Sequence, residues 1–150
     1  MKALTSEFNS LQKNGTWIMV DLPPGKKAIG SRIVFKPKRD KDGNVCKHKA
    51  RVVVKGYSQL EGRDFFDTTS PVASHSTIRS IIAQAASKGF ELFQLDVETA
   101  FLNADLDEEV YVRLPPGCHE FVEGAKDEYG RERVAKLSKA MYGLKQASRC

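Results

Sequence analysis

Apolar positions recur with a helical period at the start of the chain and with a strand period soon after. Leu4, Phe8 and Leu11 lie three or four residues apart and a glycine follows, so 1–14 is predicted as a short packing helix. In 16–22 the apolar positions alternate weakly and end at two prolines and a glycine. This pattern predicts a strand that enters a tight corner.

Two runs rich in β-branched residues, 29–38 and 45–57, flank a polar stretch that contains Asp42 and Gly43. An Asp-Gly pair in this position is a strong signal for a β-hairpin. Because side chains alternate between the faces of a strand, the second run has a cationic face and a mostly apolar face. The cationic face consists of Lys47, Lys49, Arg51 and Lys55. The other face consists of His48, Ala50, Val52 and Val54.

The cationic face of this hairpin has two interpretations. It can contact the phosphates of a template strand or of a nucleotide, with Arg51 as a bidentate donor and the lysines as point charges. The alternative is a solvated edge whose lysines discourage aggregation.

The middle of the chain predicts a helix followed by a strand. Apolar residues at helical spacing in 77–88, with Ser74 or Ser76 as cap and Gly89 as the stop, predict an amphipathic helix. Its predicted buried side consists of Ile78, Ile81, Ile82 and Ala85. The apolar run 90–95 predicts a strand on which this helix packs. Further elements are predicted as short strands over 110–114 and 134–137, a polar loop or hairpin tip over 118–133 and a turn entering a helix over 138–150.

A carboxylate, Asp96, stands where the predicted strand over 90–95 ends. An acid at the end of a buried strand is costly unless a metal ion, a cation or backbone N–H groups neutralise it. Asp96 is therefore a candidate metal ligand. From these residues alone, the alternative is that Asp96 caps the turn after the strand.

The charge of the chain is unevenly distributed. The net charge is +5, but 26–56 contains eleven Lys or Arg residues against two acids, and 98–109 contains five acids and no base. A basic lobe facing an acidic one suits a protein that holds a polyanion and concentrates metal ions nearby. Two solvated faces of an ordinary surface would give the same counts.

The length and the cysteines limit the class of protein further. A chain of 150 residues is long enough for one domain with a real core. Cys46, Cys118 and Cys150 are widely spaced, and their histidine neighbours His48 and His119 lack the paired spacing of a structural zinc site. Without a signal segment or an apolar run of membrane-spanning length, we expect a soluble intracellular protein with reduced thiols and no membrane partner.

Nine short stretches of the chain are specific enough to compare with a known family. They are NGTW (14–17), LPPGKK (22–27), IGSRIVFK (29–36), KARVVVKGYSQ (49–59), TSPV (69–72), TIR (77–79), QLDVETAFLN (94–103), EEVYVRLPPG (108–117) and KAMYGLKQASR (139–149). On these stretches, and in their order, the chain resembles the reverse transcriptase domain of Ty1/copia-type retrotransposon polyproteins over essentially its full length.

The resemblance implies a fold, a reaction and partners. The fold is α+β, with the fingers of a right-hand polymerase over roughly 16–72 and part of its palm over 73–150. The reaction is addition of deoxynucleotides to a primer 3′ end, with two Mg²⁺ (or Mn²⁺) ions. The partners are an RNA or DNA template-primer, deoxynucleotide triphosphates and the remainder of a polyprotein. The expected location is the cytoplasm, in the virus-like particle of the element, with the nucleus as an alternative.

The resemblance also implies roles for individual residues. Asp96 matches the first metal-binding Asp, and the carbonyl of Val97 would be a backbone ligand. Phe101 matches the aromatic residue that packs under the sugar and excludes a 2′-OH, with plain core packing as the alternative. The residues that match the triphosphate-binding strands are Lys36, Lys49 and Arg51. Those that match the segment against the nascent base pair and template are Tyr142, Gly143 and Lys145.

The chain departs from the family pattern at a few positions. Ile33 stands where the family usually has Trp, and Ala104 where it usually has Gly. The second catalytic element, Tyr-x-Asp-Asp, would follow Cys150, so we expect that these 150 residues alone do not polymerise. The alternative functions are a non-catalytic retroelement remnant that binds nucleic acid through 26–55, or a degenerate reading frame with an unstable product.

Overall fold

The computed structural model describes residues 2–70, 72–95, 97 and 100–149, and over these residues the protein is α+β with two antiparallel sheets. In chain order the helices and strands are α1 (Lys2–Lys13), β1 (Trp17–Val20), β2 (Ser31–Arg39), β3 (Val45–Val54), α2 (His75–Lys88), β4 (Tyr111–Val112) and β5 (Val134–Leu137). Short 3₁₀ turns lie at Gly56–Ser58, Ala100–Asn103 and His119–Phe121.

The larger sheet has the strand order β1-β5-β4, with both pairings antiparallel. Its register places Trp17 opposite Leu137 and Tyr111 opposite Lys136. The carbonyl of Thr16 accepts the N–H groups of both Ser138 and Lys139 at 2.9 and 3.2 Å, which extends the β1–β5 pairing past the end of β5. The strands predicted at 16–22, 110–114 and 134–137 are thereby confirmed.

The smaller sheet is the predicted hairpin of β2 and β3. Its register runs from Ser31 opposite Val54 out to Lys38 opposite Lys47. At the tip, Asp40 Oδ1 accepts the N–H groups of residues 42 and 44 at 3.0 and 2.9 Å. The hairpin prediction is confirmed, and the Asp-Gly signal lies in the turn, as expected.

The predicted N-terminal helix is confirmed as α1, which packs on the base of the hairpin. Its apolar stripe of Leu4, Phe8 and Leu11 is buried, and Phe8 stacks on Phe121 with ring centroids 5.5 Å apart. From β3, the core receives Ala50, Val52 and Val54. His48, predicted on this same face, is exposed because it lies in the distal half of the hairpin, beyond the residues that α1 covers.

Helix α2 is confirmed, but its predicted buried side is confirmed only at Ala85 and is wrong at the three isoleucines. Ser74 caps the helix by accepting the N–H of Thr77 at 3.1 Å, and Gly89 ends it with a left-handed φ of 67°. The isoleucines on its apolar side, Ile78, Ile81 and Ile82, are 43 to 57% exposed, while Ala85 is buried. An amphipathic helix buries its apolar side only where another surface packs against it. The described residues do not provide such a surface for the isoleucines of α2.

Two other predicted elements differ from the structure. No strand forms among the described residues of 90–95, and Phe93 and Leu95 are 85 and 94% exposed, because an apolar run becomes a strand only when another strand pairs with it. The segment up to Arg149 forms successive turns with i to i+3 bonds, such as Ala147 N–H to Leu144 O, in place of the predicted helix. Neither described helix is long and apolar enough to cross a membrane.

Candidate nucleotide-binding site

The register of the hairpin collects cations from both strands on one face. Lys36 lies opposite Lys49, and Lys38 lies opposite Lys47. Directly opposite residues of an antiparallel pair project from the same face, so these two lysine pairs and Arg51 form one basic surface. Like charges opposite each other destabilise a sheet. This surface, here called the basic ribbon, is therefore suited to bind an anion that neutralises it.

Three of the predicted site residues meet at the base of the basic ribbon. The guanidinium of Arg51 lies over the ring of Tyr142, 4.8 Å from its centroid. Phe101 meets the same ring edge-on, with centroids 5.2 Å apart and planes at 89°. Arg51 Nε is buried and has no hydrogen-bond partner among the described residues. The stacking thus orients the guanidinium through its face, and Nε is a donor of Arg51 that the described residues leave unpaired.

Tyr142 and Gly143 dock on the outer edge of β3 through their backbone. The N–H of Val54 donates to the carbonyl of Tyr142 at 2.8 Å. Gly143 has a φ of +92°, and a Cβ at this position would collide with the carbonyl of Val54 and lie 2.7 Å from Val53 Cγ1. Gly143, predicted as a template contact, therefore stands where only glycine allows this close approach.

Lys145 lies against the loop that follows β3. Its N–H donates to Gln59 Oε1 at 2.9 Å, and its ammonium group lies 4.7 Å from the centroid of the Phe65 ring. Gln59 in turn donates to Gln146 Oε1 at 3.0 Å, and both of these amide side chains are buried. Gln146 Nε2 donates to the carbonyl of Asp64 at 3.0 Å. This buried amide network joins the two loops, and no local pattern in the sequence indicates it.

The acidic run is partly committed to ion pairs. Glu109 contacts Lys26 at 2.6 Å and Lys136 at 3.3 Å, and it accepts the hydroxyl of Tyr111 at 2.8 Å. Hydrogen bonds from Lys26, Tyr111 and Lys136 lower the pKa of Glu109 to about 2. Glu109 is therefore engaged in holding the 22–27 corner to the larger sheet rather than open to a metal ion.

The part of the chain that the structure describes does not supply a Mg²⁺ donor set by itself. Within that part, no group of three or more His, Cys, Asp or Glu residues could hold a metal ion. Asp96, the predicted metal ligand, lies outside the described residues. Val97, whose carbonyl was predicted as a second ligand, is described and is 66% exposed.

Glu7 of α1 is a further residue of the site that the sequence analysis missed. Its Oε1 accepts the N–H of Val52 at 3.2 Å, next to Arg51 in β3. Burial raises the pKa of Glu7, while the Val52 N–H and the charges of Arg51 and Lys49 act in the opposite direction. The signal was present in the sequence, because Glu7 interrupts the apolar stripe between Leu4 and Phe8.

The basic ribbon and the stacked arginine are features of proteins that bind polyphosphates and nucleic acids. The family model described as reverse transcriptase (RNA-dependent DNA polymerase) matches residues 14–150. The chain belongs to this family, and its relatives identify it as the reverse transcriptase domain of Ty1/copia-type retrotransposon Pol polyproteins.

Three relatives illustrate this membership. The chain is 48% identical over 149 residues to the retrovirus-related Pol polyprotein from transposon TNT 1-94 of Nicotiana tabacum, covering 99% of this chain and 11% of that protein. It is 42% identical to the corresponding polyprotein from transposon RE2 of Arabidopsis thaliana, covering 99% and 10%. It is 32% identical to the truncated transposon Ty1-A Gag-Pol polyprotein of Saccharomyces cerevisiae, covering 98% and 12%.

The chain thus spans about a tenth of the length of the curated relatives it matches. No solved structure matches it.

Proposed function

We propose that this chain forms the fingers and the first part of the palm of a right-hand polymerase, with the fingers over roughly 16–72 and the palm over 73–150. In the complete domain it would add deoxynucleotides to a primer 3′ end on an RNA or DNA template. Its membership in the reverse transcriptase family and the hairpin that extends beyond α1 support this division.

The observation on which this proposal rests is the stack of Arg51 on Tyr142 beside the lysines of the basic ribbon. A triphosphate needs several cationic donors at fixed positions, and a stacked guanidinium is more rigid than a free one. Arg51, Lys49 and Lys36 would bind the triphosphate in this arrangement. Phe101 would then lie under the sugar, braced by the edge-on contact with Tyr142.

The remaining proposed roles concern the metal ions and the template. Asp96 and the Val97 carbonyl would hold Mg²⁺ or Mn²⁺ together with the carboxylates of a Tyr-x-Asp-Asp element, which these 150 residues do not contain. Such an ion lowers the pKa of the primer hydroxyl. Gly143 and Lys145 would lie near the template, beside Tyr142.

Binding of dTTP to the purified chain tests the proposed triphosphate site. We expect Arg51→Ala to weaken dTTP binding at low ionic strength by about tenfold or more, because it removes charge-assisted hydrogen bonds. Arg113→Ala is the matched control, since Arg113 is an exposed arginine outside the hairpin. Equal losses in the two variants, measured by isothermal titration calorimetry, would contradict the proposal.

A second function is supported by the two opposed lysine pairs. These pairs, Lys36 with Lys49 and Lys38 with Lys47, would bind any polyanion, including single-stranded RNA. Such binding requires no catalytic activity. The chain would then be a non-catalytic retroelement remnant. This function predicts RNA binding without Arg51-dependent binding of dTTP, so the same titration distinguishes the two.

A further inference from the structure

Besides its apolar packing, helix α1 contacts the backbone of the proposed triphosphate-binding strand β3 through the side chain of Glu7. Glu7 is the only acid of α1, and it lies on the face that packs against β3. Its Oε1 accepts the N–H of Val52, a residue between Arg51 and the strand end. The family model begins at residue 14, so this contact comes from outside the matched region.

The contact closes the outer edge of β3. Val52 pairs with Ile33 of β2 on one side and donates its N–H to Glu7 on the other. Two residues further along, Val54 donates to the carbonyl of Tyr142. Glu7 and Tyr142 therefore each accept one N–H from the outer edge of β3. Arg51 precedes these two donors in the strand and stacks on Tyr142.

We infer that Glu7 is a positioning residue that fixes β3 beside Arg51. As a counter-charge to Arg51 and Lys49, its carboxylate also limits how tightly this site retains a polyphosphate. The inference rests on the function proposed above. A bound triphosphate brings several negative charges toward the cations that Glu7 already partly neutralises. The ionised carboxylate therefore opposes the ligand while its hydrogen bond keeps the strand in place. Such an arrangement favours release of the leaving pyrophosphate.

The direction of the effect follows from charge and geometry. The positive charges of Arg51 and Lys49 act on the Glu7 carboxyl and partly offset the effect of its burial on its pKa. Glutamine has the same shape and an oxygen that can accept the Val52 N–H, but it has no charge. Glu7→Gln thus separates the electrostatic role from the structural one, whereas Glu7→Ala removes both.

The test is binding of inorganic tripolyphosphate to the full chain at pH 8, which keeps the carboxyl ionised. We expect Glu7→Gln to bind tripolyphosphate about threefold or more tightly than the wild type. Glu128→Gln makes the same charge change in the 127–131 turn and should leave the affinity unchanged. In the Arg51→Ala, Lys49→Ala background the effect of Glu7→Gln should disappear, because the two cations are what the carboxylate opposes.

Amide hydrogen exchange gives the structural readout for the same variants. Val52 should stay protected in Glu7→Gln and lose protection in Glu7→Ala. If Arg51→Ala weakens binding while Glu7→Gln matches Glu128→Gln, the inference is overturned and the proposed function stands. If Arg51→Ala and Lys49→Ala both leave tripolyphosphate binding unchanged, the proposed triphosphate site is wrong, and the inference fails with it.

Discussion

At the scale of single residues, two glycines allow close contact between the β2–β3 hairpin and the segment after β5. A Cβ on Gly56 would collide with the carbonyl of Gly143, and a Cβ on Gly143 would collide with the carbonyl of Val54. The backbone of the 142–149 turns can therefore lie against β3 without intervening side chains. This contact also fixes Tyr142, on which Arg51 stacks.

We predict that Gly143→Ala lowers the free energy of unfolding by about 3 kcal/mol or more, through left-handed strain and a collision with β3. The control is Gly130→Ala, since Gly130 has a φ of +76° but no atom within 4 Å of the added Cβ. That variant should lose only about 1 kcal/mol. Urea denaturation measures both, and equal losses would show that the close approach to β3 is not a constraint.

At the scale of elements, the sequence predicts those helices and turns that depend on neighbouring residues. It does not predict the burial or strand pairing that depends on distant parts of the chain. The hairpin and α1 follow from the Asp-Gly turn and the stripe of Leu4, Phe8 and Leu11, which are short-range features. The exposed isoleucines of α2 and the unpaired run 90–95 depend on partners, which periodicity does not identify.

The same distinction applies to the site. Arg51 and Lys49 could be placed on one face of a strand from alternation alone. The stack of Arg51 on Tyr142 joins residues distant in the sequence, so no local pattern could predict it. Glu7 was recognisable as an acid on an apolar stripe, but its partner in β3 was not.

The basic ribbon, as an element, should govern how RNA binding responds to salt. We predict that Lys36→Gln and Lys49→Gln each reduce the slope of log K against log salt by about 0.7, the value for one released counterion on a single strand. Lys126→Gln changes an exposed lysine outside the ribbon and should leave the slope unchanged. Fluorescence anisotropy with a short RNA measures this, and three equal slopes would exclude the ribbon as the binding surface.

At the scale of the whole molecule, one part of the chain has a buried apolar core and another part has exposed apolar side chains. The core joins α1, the hairpin base and the larger sheet, whereas the isoleucines of α2 and the large apolar side chains of 90–95 are exposed. Exposed apolar surface of this extent marks a region that contacts another part of a protein or a partner. The relatives, of which this chain spans about a tenth, contain further sequence that could provide such contacts.

We predict that the purified 150-residue chain shows no detectable primer extension with Mg²⁺ or Mn²⁺, because it has no Tyr-x-Asp-Asp carboxylates to accompany Asp96. A primed homopolymer template and labelled dTTP provide the assay. Asp96→Asn, which keeps the volume and removes the charge, is the control. Metal-dependent extension by the wild type that this substitution abolishes would contradict the prediction.

The pairing of β1 with β5 determines the order in which the protein can fold during synthesis. Residue 17 pairs with residue 137, and the carbonyl of Thr16 accepts the N–H groups of Ser138 and Lys139. The hairpin, by contrast, can close as soon as residue 54 has left the ribosome. The nascent chain must therefore hold β1, including Trp17, without its partner strand until almost all of these 150 residues have been made.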